Sequence, residues 1–79
     1  MKPEEIRAKD FQDREAIEVT LEYQEGRKKM MVYYFGVQEE FPNCGPQMLY
    51  TPHIWEDGTR TQNYCIDVDF IVDLRRLHI

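Results

Sequence analysis

Every second residue of the stretch 63–74, NYCIDVDFIVDL, falls into one of two sets. Tyr64, Ile66, Val68, Phe70, Val72 and Leu74 form an apolar set; Cys65, Asp67, Asp69, Ile71 and Asp73 form the other. Period two marks a strand with one buried face. The pattern therefore predicts a long strand over 61–74, with the apolar set on the floor of a core. Residues 16–24 alternate in the same way. Ile17, Val19, Leu21 and Tyr23 oppose Glu18, Thr20, Glu22 and Gln24. A turn at 25–28 follows, with Gly26 free to take positive φ. The next stretch, KMMVYYFGV (29–37), is apolar on both faces, as in a strand covered on both sides. MLYTPHIW (48–55) predicts another strand. Pro52 donates no ladder hydrogen bond, which points to an edge or a bulge. Asp57-Gly58 is a favoured hairpin dipeptide and joins this strand to the last.

These elements predict a mainly β fold, or α+β if an N-terminal helix forms. The sheet has four antiparallel strands in two hairpins, because no connection is long enough for a crossover between parallel neighbours. A short helix is expected at about 3–14, with Pro3 in its first turn and Glu4 and Glu5 where the helix dipole favours acids. Its apolar stripe is thin, Ile6 and Phe11 only, so it docks through a narrow contact or frays. Val19, Leu21, Val32, Ile66, Val68 and Phe70 are the expected core. The thin helix leaves the irregular 38–47 segment or a second copy of the chain to help cover the apolar face, so a homodimer is one expectation.

Seventy-nine residues make a single domain, 1–79. Such a small chain has a thin stability margin, roughly 4–12 kcal/mol. Hydrophobic content of 42% places it with folded domains rather than disordered chains. Residues 1–20 carry no signal-peptide-like apolar run and nothing reaches the length of a membrane span, so the expected site is the cytoplasm, away from membrane. Cys44 and Cys65 fit that setting as reduced thiols.

The search for chemistry returns no catalytic residue, no metal site and no cofactor. Asp67 and Asp69 lie about 6.5–7 Å apart on one strand face, a spacing at which two carboxylates can share a hydrated divalent cation. They lack further ligands, and a solvated face explains them. Cys44, His53, Cys65 and His78 show neither C-x-x-C nor H-x₃₋₅-H spacing, so zinc is not indicated. Cys44 has no base beside it in the sequence to activate it as a nucleophile, and its charged neighbours Glu39 and Glu40 are acids. A non-enzymatic role follows.

Charge narrows the choice of partner. The net charge is −5, and the one local excess of base is Arg27, Lys28 and Lys29. An acidic chain is repelled by nucleic acid and attracts basic surfaces. On the predicted sheet, Glu18, Glu22, Asp67, Asp69 and Asp73 point outward together. Solvation alone does not require five carboxylates of one sign, and such a face speeds capture of a basic partner. The first expectation is thus an acidic protein-binding module, in concrete form a small inhibitor that occupies a partner's basic, nucleic-acid-binding surface. Small phage anti-defence proteins act in this way; the parallel is one of size and charge. The alternatives are a single-stranded DNA or RNA binder using Arg27, Lys28 and Lys29 with neighbouring aromatics, and a structural homo-oligomer.

Overall fold

The computed structural model describes residues 1–39, 44–54, 56–57 and 64–77. Helix α1 (Pro3–Ala8) precedes strands β1 (Ala16–Tyr23), β2 (Gly26–Gln38), β3 (Gln47–Thr51) and β4 (Tyr64–Asp67). A 3-10 turn (Val68–Phe70) then leads into β5 (Ile71–Arg76). The five strands form one antiparallel sheet in the order β4-β3-β2-β1-β5. Both expected hairpin pairings, β1 with β2 and β3 with β4, are present. The strand number is five instead of four, because the expected 61–74 strand is interrupted at 68–70.

That interruption closes the fold. β4 and β5 lie at opposite ends of the sheet, which in a flat sheet would separate them by four strand spacings, about 19 Å. The four steps from Asp67 to Ile71 span only about 8 Å at 3-10 rise. The sheet must therefore roll until its two edges meet at the turn. The long β2 carries the bend. It pairs with β1 over Gly26–Tyr33 and with β3 over Tyr33–Gln38. Between Tyr34 and Val37 it bulges, with Gly36 at φ +107°, a backbone conformation that glycine adopts without steric cost.

The 3-10 turn also reverses the strand parity. Ile66 and Val68 are buried as expected, but Phe70 is exposed and Ile71 is fully buried. Val72 is then an extra residue in the β5–β1 ladder, since Leu21 pairs with Ile71 and Thr20 with Asp73. This bulge restores the original parity, so that Leu74 is buried opposite Val19. The expected placing of Phe70 and Val72 in the core and Ile71 outside it is thereby corrected. Val19, Leu21, Val32, Ile66 and Val68 are core residues, joined by Ile6, Ile17, Tyr34, Met48, Ile71 and Leu74.

Helix α1 is shorter than the expected 3–14. It ends as Asp10 takes φ +54°, a left-handed conformation that aspartate tolerates better than most residues. Its single buried residue is Ile6. The rest of the N-terminal segment is tied down by polar groups. The Met1 ammonium donates to the Val68 and Ile71 carbonyls at 2.9 and 2.7 Å, bracketing the 3-10 turn. Arg76 bonds the Glu15 carboxylate and the Lys9 and Asp10 carbonyls, and its guanidinium lies over the Phe11 ring. Pro52 follows β3 directly, and β3 is paired on both sides, so it ends an interior strand and does not mark an edge. Trp55, Gly58 and His78 lie outside the described residues.

Candidate functional site

The five outward carboxylates do not share one patch. Register places Glu18 between Met31 of β2 and Arg75 of β5, and Glu22 opposite Arg27. Thr20 lies between Lys29 and Asp73. Arg27 donates to Glu22 at 3.3 Å, and Arg75 to Asp73 at 2.8 Å. The outer face of β1, β2 and β5 is therefore a lattice of opposite charges, which cross-strand pairing favours, rather than a field of one sign. Asp67 and Asp69 sit elsewhere, on the 3-10 turn. The Asp67 carboxylate accepts from the Asp69 N–H at 2.9 Å and caps the turn. Asp69 is exposed in the turn's first residues.

The Arg75 hydrogen bond holds the Asp73 carboxyl below the usual aspartate range. Its small contribution to stability is present above the unfolded-state pKa and is lost as pH falls through the lowered folded value. Arg75→Ala should return the Asp73 midpoint toward that of an ordinary carboxylate, as read by NMR titration of the side-chain carboxyl. An unchanged midpoint would contradict this pairing.

The second surface lies where the rolled sheet opens. Tyr34, Tyr50 and Tyr64 align across β2, β3 and β4, on the side that buries Tyr34. Tyr50 and Tyr64 stack with ring centres 5.7 Å apart. Tyr23, at the end of β1, meets Phe70 of the 3-10 turn at 5.2 Å. Burial raises the Tyr50 pKa, and the neighbouring Tyr23, Tyr64 and Cys65 add to the rise, so its phenol stays protonated at neutral pH. Met30, Met31, Val32, Tyr50, Pro52 and Tyr64 line a depression of about 280 Å³ in this mouth. The chain matches no protein-family model, no curated protein and no solved structure.

The basic turn is divided by strand alternation. Arg27, Lys28 and Lys29 are all exposed. Lys28 pairs with buried Leu21 and alternates with Met30 and Val32, which puts it on the side of the aromatic mouth. Arg27 and Lys29 lie on the opposite face, beside Glu22 and Thr20. Cys44 and Cys65 are free, exposed thiols. Among the described residues, no group of three or more His, Cys, Asp and Glu is placed to hold a metal ion, and no helix is long and apolar enough to cross a membrane.

Sequence reasoning placed Tyr23, Tyr64 and Phe70 on the core face. The structure leaves them 39%, 45% and 43% exposed, with Met31 at 47%. All but Met31 sit where a strand ends, at positions that alternation assigns to the inside but that the rolled sheet cannot cover.

Proposed function

We propose that this chain is a non-enzymatic protein-binding module for a partner with a basic surface. The observation that supports it is the exposure of large apolar side chains, Tyr23, Met31, Tyr64 and Phe70, on an acidic chain. Tyrosine, phenylalanine and methionine are enriched in protein interfaces, and an exposed patch of them seeks cover. The net charge of −5 selects basic partners at long range. In its specific form, the module inhibits its partner by covering a surface that would otherwise hold nucleic acid. Single-strand binding is the second reading; the presence of Lys28 on the same side as the aromatic rings favours it, since stacked bases and a nearby ammonium make a minimal platform.

Affinity capture from lysate of the native host, at low and high salt, tests the proposal. A basic protein retained at low salt and released more readily at high salt is the expected result. Recovery of nucleic acid alone would shift the assignment to the second reading, and recovery of the chain alone would contradict both.

A further inference from the structure

We infer that β5 pairs edge to edge with β5 of a second copy of the chain, antiparallel about a two-fold axis between the two Leu74 residues. β5 lies at one end of the sheet and is paired on one side only, with β1. An edge strand offers its outward N–H and C=O groups to any strand of matching register. The Leu77 N–H donates to the Ala16 carbonyl at 3.4 Å, which continues the β1–β5 ladder. Antiparallel alternation then directs the backbone groups of Asp73 and Arg75 toward β1 and turns those of Leu74 and Arg76 outward. In keeping with this, the Leu74 N–H donates to a side chain, the Asp73 carboxylate. The Leu74 side chain stays in the core. The Met1 ammonium occupies the Ile71 carbonyl, so the open stretch is 72–76.

Charge selects the occupant. Asp73 and Arg75 flank Leu74 on the outer face of the sheet, in register with Thr20 and Glu18. Pairing Leu74 with its copy sets Asp73 of each chain opposite Arg75 of the other, twice by symmetry. Arg75 is exposed and Asp73 half-buried, so both reach the seam. Within one chain they bond at 2.8 Å, and the dimer joins two such pairs into a network of four charges. A parallel pairing sets like charge against like, and an antiparallel one centred on Arg76 takes Asp73 away from Arg75; both lose the match. Charges on an edge ordinarily turn added strands away. Here they admit one sequence in one register, that of the chain itself. The opposite edge, β4, holds one charged residue, Asp67, and encodes no such match. The seam is short, so the association is weak. It shares no residue with the depression of the aromatic mouth, and the inference stands apart from the partner proposed above.

Sedimentation velocity of the 79-residue chain, from micromolar to millimolar concentration, is the test. A monomer–dimer equilibrium is expected. Asp73→Arg and Arg75→Asp each oppose like charges at both symmetry-related contacts and should raise the dissociation constant about tenfold or more. Mixing the two variants should restore association as a mixed dimer, because the two arginines of one chain then face the two aspartates of the other. The exchanged variant Asp73→Arg/Arg75→Asp should self-associate like the parent. A parent chain that stays monomeric throughout would overturn the inference. So would a dimer indifferent to both reversals, a dimer abolished by Tyr64→Ala instead, or reversals that neither mixing nor exchange repairs.

Discussion

Ile71→Ala is expected to lower the unfolding free energy by about 2–5 kcal/mol, the usual result of truncating a fully buried isoleucine. Ile71 has no exposed surface, and it pairs with buried Leu21 across the β1–β5 ladder. Against a total stability of roughly 4–12 kcal/mol, that loss leaves part of the population unfolded. Its two neighbours should behave differently. Phe70→Ala and Val72→Ala should each cost about 1 kcal/mol or less, since both side chains are already exposed in the native state. Urea unfolding of the three variants distinguishes the observed interruption from one uninterrupted strand, which would reverse the order by burying Phe70 and Val72 and exposing Ile71.

Ile6→Ala is the second large effect, also about 2–5 kcal/mol. Six residues of helix cannot sustain themselves in water, so α1 exists because Ile6 is buried. The polar ties on either side of it, the Met1 ammonium on the 3-10 turn and Arg76 on the 9–15 segment, hold the helix over the sheet. Truncating Ile6 should therefore weaken protection of the Val68–Ile71 region as well as of the helix, because the two are bonded through Met1. Hydrogen exchange that increases in α1 alone would show that the N-terminal segment is an independent appendage. Glu4→Ala, on the exposed side of the same helix, should change stability by a few tenths of a kcal/mol at most.

The β1–β2 hairpin was legible because β1 obeys a period of two and adjoins the turn at Gly26. Val19, Leu21 and Val32 pointed inward as the alternation required. The 63–74 stretch misled for a definite reason. A 3-10 turn flips the parity at 68–70 and a bulge at Val72 flips it back, so the apolar alternation runs on undisturbed in the sequence while the backbone does not. The available signal was local: Asp67 and Asp69 suit a capping position and a first turn, roles for which their charge needs no partner protein. The carboxylate face was misjudged for a related reason. Alternation shows which way Glu22 and Asp73 point, but cross-strand register decides which bases lie among them: the β1–β2 hairpin brings Arg27 and Lys29, and the pairing of β5 with β1, distant in sequence, brings Arg75. The mouth could not be read at all from one strand at a time. Tyr23 meets Phe70 only when β5 pairs with β1, far away in sequence.

The binding face can be located by titrating isotope-labelled protein with a synthetic peptide of one leucine between lysines and following the backbone amide resonances. Shifts confined to Met30, Val32, Tyr50 and Tyr64, reduced in the Tyr64→Ala protein, are the predicted result. Shifts that track Glu22, Asp73 and Arg75 and leave the mouth unchanged would contradict it and return the binding role to the charged face of the sheet.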